Sequence, residues 1–241
     1  MTLRVVNWNV EWATPRSVRS PEILSRIAEH SPEIICLTET NHRLLDSFGG
    51  HAIHSLPDYG HRMIKGRRKV ALWSRNPWYA VVGLGSAVFP PGRFVAGVTD
   101  TSEGPVTVVG VCIPWSGSRT KRFRGHYSQW EDHESYLDGL RTLFQPGLKP
   151  RMVVIGDYNQ SIGGRNSAPI RLRDKLKRTF DDVGLRIATA SLEFQGRRAI
   201  DHMALTPDLD ARSMTAISNL RDDGRELSDH FGVVATLSSN K

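Results

Sequence analysis

Ten short apolar runs, spread from one end of a 241-residue chain to the other, constrain its fold more than any other feature. They are LRVVNWNV, EIICLT, KVALWS, WYAVVG, RFVAGVT, VTVVGVCI, MVVIGD, LRIATAS, AIDHMAL and FGVVATL. Most are rich in β-branched and aromatic residues and have the length of a strand, so each predicts a strand with a buried face. Only three segments have helical spacing. The first is 21–30 (PEILSRIAEH), with Ser20 as N-cap and Pro21 at the first helical position. The second covers 127–144, where Trp130, His133, Leu137, Leu140 and Phe144 recur on one face; the third covers 169–183, with Leu172, Leu176 and Phe180. Many strands with few helices predict two sheets packed face to face and covered outside by helices. No repeat, low-complexity tract or linker divides the chain, so a single domain over 1–241 is expected. A domain of this size buries its core without staples. Cys36 and Cys112, each inside an apolar run, read as small hydrophobes.

The ends of these runs carry the chemistry. In RMVVIGDYNQS (151–161) a buried strand breaks into Asp157 and Asn159, which an extended chain points to one side. LRVVNWNVEW ends in Asn7, Asn9 and Glu11; Glu39 follows EIICLT; Asp201 lies within AIDHMAL; Asp229 and His230 directly precede FGVVATL. Turn chemistry, capping or a solvated surface explains each cluster singly. All five together predict a site built on strand ends. Glu39 and Asp229, with the amide oxygen of Asn9, offer hard oxygen ligands suited to Mg²⁺. Neither an HExxH pair nor a Cys/His cluster with zinc-ligand spacing occurs. His230 suits donation to a phosphate oxygen or proton transfer once a carboxylate such as Asp201 orients it. Asp157 suits acceptance of a proton from an attacking water, with Asn159 positioning that water or the phosphate. Which of Asp157 and His230 is the base stays open.

Charge narrows the partners. Lys and Arg number 32 against 25 Asp and Glu, and the excess gathers in HRMIKGRRK (61–69), SRTKRFRGH (118–126) and RLRDKLKR (171–178). A basic surface concentrates phosphate-bearing ligands; the third run equally suits the solvated face of an amphipathic helix. The first residues lack the apolar core of a signal peptide, and no run approaches the ~18 apolar residues of a membrane span. Two cysteines in apolar runs suit a reducing compartment. The expectation is a cytoplasmic protein without a membrane span, and no protein partner is evident.

VVNWNVEW, PEIICLTET, VVIGDYNQS, AIDHMAL and LSDHFGVVATL, in that order, resemble the motif set of the endonuclease/exonuclease/phosphatase superfamily. These motifs are nearest to its abasic-site endonuclease branch. They run from residue 5 to residue 237. The resemblance implies a DNase-I-like four-layer α/β sandwich, two packed mixed sheets flanked by helices, with the site at one edge. It implies a Mg²⁺-dependent phosphoester hydrolase, Mn²⁺ being the alternative ion. Asn9, Glu39 and Asp229 fall at its metal-site positions. Asp157 and Asn159 match the pair that activates water and contacts phosphate, and Asp201 matches the acid paired with the catalytic His230. GRFVAGV (92–98) and QWEDHESYLDGL (129–140) resemble the abasic-endonuclease branch more loosely, with Arg93 either supporting the site or serving a strand end.

Departures bear on specificity. Nucleases of the family present Tyr or His before a proline to contact phosphate, whereas this chain reads Cys112-Ile113-Pro114-Trp115; His126 in the following loop either is a solvent-exposed loop histidine, the favoured reading, or leans in as a substitute. Thr38 stands for a Gln and His202 for a Tyr, changes expected to leave the chemistry intact. Two functions follow. The first is a nuclease acting on nucleic acid, with Trp78, Trp115 or Trp130 stacking on bases if exposed and packing in the core if not. The alternative is a phosphatase or phosphodiesterase of a small or lipid-linked phosphate, of inositol-phosphate or sphingomyelin type. In either, the loops 40–67 and 113–126 carry specificity.

Overall fold

The structure is a computed structural model that describes residues 2–84, 90–120, 128–145, 147–163 and 168–240. The first half contains β1 (Leu3–Ala13), α1 (Ser20–Glu29), β2 (Ile34–Asn41), β3 (His51–His54), β4 (Arg67–Ser74), β5 (Trp78–Val82), β6 (Phe94–Thr101) and β7 (Gly104–Cys112). The second contains α2 (Glu131–Phe144), β8 (Met152–Asp157), α3 (Ile170–Asp181), β9 (Arg186–Ile187), β10 (Glu193–Phe194), β11 (Arg197–Arg198), β12 (Asp201–Leu205), β13 (Leu209–Ile217) and β14 (Gly232–Ser239). Two six-stranded sheets form, in the orders β13-β14-β1-β2-β4-β3 and β5-β6-β7-β8-β12-β9. Both are mixed: β1–β2 and β7–β8 are parallel and the other pairs antiparallel.

Period-two alternation builds the layers. Leu3 and Val5 of β1 face the inter-sheet core with Ile34 and Cys36 of β2, while Val6, Trp8 and Val10 face Ile23 and Ile27 of α1. In the other sheet Val108, Val153 and Ile155 point to the shared core; Val109, Val111 and Val154 pack under Leu137 and Leu140 of α2 and Leu176 and Phe180 of α3. Central strands are therefore apolar on both faces, and the result is the expected four-layer sandwich of two packed sheets flanked by helices.

Several boundaries differ from expectation for local reasons. The first helix begins at Ser20, and Ser20 Oγ donates to the Thr14 carbonyl (2.6 Å) instead of capping. The second begins at Glu131, after Trp130 turns left-handed (φ 74°) and packs beside Ala168 and Leu172. LRIATAS yields only the two-residue β9, because Thr189 turns its hydroxyl to the Met203 amide (3.1 Å) and to His202 (2.8 Å). β13, which the apolar runs do not reveal, buries only its terminal Leu209 and Ile217. β3 forms inside the expected loop 40–67. His126 lies outside the described residues.

Two contacts bring the working edges of the sheets together. Asn7 Nδ2 crosses from β1 to donate to the Gly156 carbonyl (3.0 Å) and the His202 carbonyl (3.3 Å) of the opposite sheet. At Gly156, φ is +144° and an added Cβ would lie 1.8 Å from the Val111 carbonyl oxygen, so only glycine admits this approach of β8 to β7.

Candidate active site

β8 and β12 pair antiparallel with Asp157 directly opposite Asp201. Both carboxylates are buried. Each is held differently. Asp157 Oδ1 accepts the Asn159 amide N–H (2.7 Å), and its Oδ2 accepts Asn159 Nδ2 (2.8 Å) and Asn9 Nδ2 (3.0 Å). Asn159 adopts φ +53°, a conformation Asn tolerates, and its Nδ2 also reaches the Ile113 carbonyl (2.8 Å). Asp201 Oδ2 accepts Nδ1–H of His230 (2.5 Å), while its buried Oδ1 has no partner among the described residues. The His230 backbone is fixed on both sides: its carbonyl accepts Trp8 Nε1 (2.8 Å), and its N–H donates to Ser228 Oγ (3.2 Å). Ser228 in turn donates to the Asn9 carbonyl (2.6 Å). One ligand atom each from Asp157, Asp201 and His230 falls within 4.8 Å of the others.

Burial pushes the Asp157 carboxyl up to about 7, with the His230 charge opposing and Asp201 and Glu39 adding to the rise. Burial raises Asp201 as well, against the pull of His230. For His230 burial acts downward, yet the Asp201 charge and hydrogen bond, with Asp157 and Asp229, outweigh it and lift the imidazole to about 10. The pair is therefore an imidazolium on a carboxylate, beside an acid poised near neutrality.

Of the three expected metal ligands, each keeps a partner of its own. Asn9 enters through its nitrogen, and its Oδ1 accepts the Glu11 N–H (2.9 Å). Glu39, at φ +47°, accepts Lys69 Nζ on Oε1 (2.6 Å). The flanking pairs Thr38–Val70 and Thr40–Arg68 set these two residues opposite each other on β2 and β4. The Asp229 side chain is 62% exposed, 3.8 Å from His230 Nε2, and the Asp229 carbonyl accepts Arg197 Nη2 (2.7 Å). Carboxylates gather at this edge, and the buried Oδ1 of Asp201 has no partner among the described residues. Such a donor set fits a hard divalent cation.

Cys112 is buried and its thiol is pushed up to about 12, chiefly by burial, so it is a neutral lining group. Thr38 and His202 are buried as well. Trp130 is buried, Trp78 is half-buried, and Trp115 is 54% exposed. Sequence reasoning missed Lys69, which it treated as part of a basic run. Its signal was a lysine directly before the buried Val70-Ala71-Leu72-Trp73. It also missed Gln160, whose Nε2 bonds His133 Nε2 (2.6 Å) and whose carbonyl meets His202 Nε2 (2.9 Å).

The model of the Endonuclease/Exonuclease/phosphatase family matches residues 6–230. Among solved structures, the chain is similar to a 3′-5′ exonuclease from Neisseria meningitidis, with 19% identity and TM-score 0.70 over 98% of this chain and 100% of that one. It is similar to the endonuclease domain of TRAS1, a telomere-specific non-LTR retrotransposon, with 18% identity and TM-score 0.66 over the whole of both chains. It is also similar to the human Nocturnin catalytic domain, with 19% identity and TM-score 0.67 over 99% of this chain and 95% of that one. No curated protein matches the chain by sequence.

Proposed function

The chain belongs to the endonuclease/exonuclease/phosphatase family, and from that premise we propose that it is a Mg²⁺-dependent phosphodiester hydrolase, a nuclease whose substrate is nucleic acid. The observation that carries this reading is the buried Asp157–Asp201 pair with His230 bonded to Asp201 at 2.5 Å. Hydrolysis of a phosphodiester needs a group to take a proton from water and a group to steady the charge that builds on phosphate oxygens. Asp157, near neutrality, is placed to take the proton, and Asn159 fixes its carboxylate through two hydrogen bonds. His230, kept cationic by Asp201, keeps Nε2–H, 3.8 Å from the Asp229 carboxylate, as the donor to a phosphate oxygen. Glu39, Asp229 and Asn9 would hold the divalent ion, with Mn²⁺ able to replace Mg²⁺, and the ion when bound neutralises charge on the phosphate and the leaving oxygen.

Nucleic acid is favoured by the surroundings of the site. The β10–β11 hairpin presents Arg197 and Arg198, and Arg197 bonds the backbone of Asp229 at the site rim. Trp115 is exposed just beyond Pro114. The Neisseria neighbour is described as an exonuclease and, on a product DNA hairpin, as a 3′ phosphatase. We read residues 1–241 as one domain. No helix among the described residues is long and apolar enough to cross a membrane; with two free buried cysteines we place its work in the cytoplasm.

The test is hydrolysis by wild type and Asp157→Asn of plasmid DNA, single-stranded DNA, an abasic-site duplex, RNA and bis-p-nitrophenyl phosphate, with Mg²⁺ and with EDTA. Cleavage of a nucleic acid by wild type, lost by at least ~10² in the variant and abolished by EDTA, is expected. Turnover of the small ester alone moves the assignment to a small or lipid-linked phosphate. Equal rates in both proteins overturn it.

A further inference from the structure

Asn159, which fixes the Asp157 carboxylate, stands in a left-handed conformation (φ +53°) that asparagine tolerates and neighbouring contacts must select. The selecting contacts lie one residue on. Gln160 is buried, and its side chain and its backbone are each tied to a fully buried histidine. Its Nε2 lies 2.6 Å from Nε2 of His133 on α2, and its carbonyl lies 2.9 Å from Nε2 of His202 on β12.

Burial keeps both rings neutral, so each has one N–H, and its place follows from the neighbours. The Pro114 carbonyl, 2.7 Å from His133 Nδ1, can only accept; Nδ1 therefore carries the proton and Nε2 accepts from Gln160. For His202, Nε2 donates to the Gln160 carbonyl and Nδ1 accepts from Thr189 Oγ1 (2.8 Å), whose oxygen accepts the Met203 N–H (3.1 Å). Gln160 Oε1 has no partner among the described residues, so the bond to His133 alone directs the carboxamide. These contacts close a ring. The Ile113 carbonyl accepts Asn159 Nδ2 (2.8 Å), the Pro114 carbonyl accepts His133, and His133 accepts Gln160, while the chain itself joins Ile113 to Pro114 and Asn159 to Gln160. The chain just after β7, the first turn of α2 and the turn after β8 are locked together, and His202 adds an anchor from the residue beside Asp201.

We propose that Gln160 is a positioning residue for Asp157: clamped by His133 and His202, it holds Asn159 in the turn from which the Asn159 N–H and Nδ2 aim the Asp157 carboxylate. The inference rests on the phosphodiester-hydrolase reading, in which Asp157 takes the proton from water. Gln160 is 3% exposed and acts from behind the carboxylate, so its contribution falls on the chemical step and not on substrate binding. A displacement of about 1 Å at a reacting group costs up to about 10²-fold in rate.

The experiment compares wild type, Gln160→Met and Thr206→Val. Methionine keeps the length of glutamine and removes the donor. Thr206→Val removes a buried hydrogen bond just beyond the far end of the same β8–β12 pairing, where Thr206 Oγ1 accepts the Met152 N–H (2.9 Å), and controls for lost stability. In Gln160→Met, kcat should fall at least about tenfold with KM within about twofold of wild type. Hydrogen exchange at the Asn159 amide, which donates to Asp157 Oδ1, should quicken at least about tenfold in the same variant. Thr206→Val should lower stability and leave both readings unchanged. A wild-type kcat in folded Gln160→Met, a fall matched by Thr206→Val, or unchanged exchange at Asn159 overturns the role. If Gln160→Met does not fold, His202→Phe decides by the same readings, since it releases the Gln160 carbonyl and keeps a ring against Tyr158. The two claims fail separately: a wild type that hydrolyses no phosphodiester defeats the hydrolase reading, whereas exchange at Asn159 judges the clamp without turnover.

Discussion

Asp157 and Asp201 sit opposite each other in the β8–β12 ladder as two buried carboxylates, and His230 bonds only the second of them. That asymmetry separates their roles. Two like charges on neighbouring strands push each other's protonation apart. The imidazolium takes one carboxylate as its counter-ion, which leaves Asp157 to titrate near neutrality.

If Asp201 acts through His230, the two residues behave as one unit. Asp201→Asn should lower turnover by about 10²-fold, and the double variant Asp201→Asn/His230→Ala should lose little beyond His230→Ala alone. Single and double variants assayed side by side with circular dichroism check this; fully additive losses would separate Asp201 from the His230 role.

Acid stability should depend on His133. Its Nδ1–H donates to the Pro114 carbonyl (2.7 Å) and its Nε2 accepts from Gln160, so both nitrogens are used in the neutral ring. Burial lowers its pKa to about 4. Below about 6.5 the unfolded chain takes up a proton that the folded chain refuses. This residue's contribution is therefore full above pH 6.5 and is lost as pH falls towards 4, at up to about 1.4 kcal/mol per pH unit. Urea unfolding of wild type and His133→Gln across that window should show a shallower fall for the variant; parallel curves would contradict the assignment.

Gly156 should be irreplaceable. With φ +144° and the Val111 carbonyl 1.8 Å from any Cβ, Gly156→Ala must part β8 from β7, at a cost of about 3 kcal/mol or more. Gly184 also has positive φ (81°) but open space around it, so Gly184→Ala should cost only about 1 kcal/mol. Urea midpoints of the two variants measure the difference.

The strands bearing Asp157, Asn9, Glu39 and Asp201, and the strand that His230 precedes, were legible because buried strands leave long apolar runs, and a polar residue at the end of such a run stands out. The four-layer architecture followed from the same runs. β13 was not legible, because an edge strand with one face in solvent has no continuous apolar signature. Pairings set by tertiary approach were equally hidden. Lys69 meets Glu39 only through the β2–β4 register, and the Asn7 amide finds its acceptors on strands 149 and 195 residues away. Asp229 was legible as a residue, but its outward exposure depends on how the chain turns before β14.

Trp115 and Trp130 should separate binding from folding. Trp115 is 54% exposed and follows the strand end that carries Cys112, whereas Trp130 is buried where α2 begins. If single-stranded nucleic acid lies along this edge, Trp115→Ala should weaken its binding by about 1–3 kcal/mol with little change in melting temperature. Trp130→Ala should instead lower stability by about 3–5 kcal/mol, as loss of a large buried ring does. Fluorescence anisotropy with a labelled oligonucleotide at several salt concentrations, using Asp157→Asn to prevent cleavage, measures the first. Affinity should fall steeply with salt in every variant because phosphates release counterions on binding. A salt-independent affinity, or one unchanged by Trp115→Ala, would place nucleic acid elsewhere on the molecule.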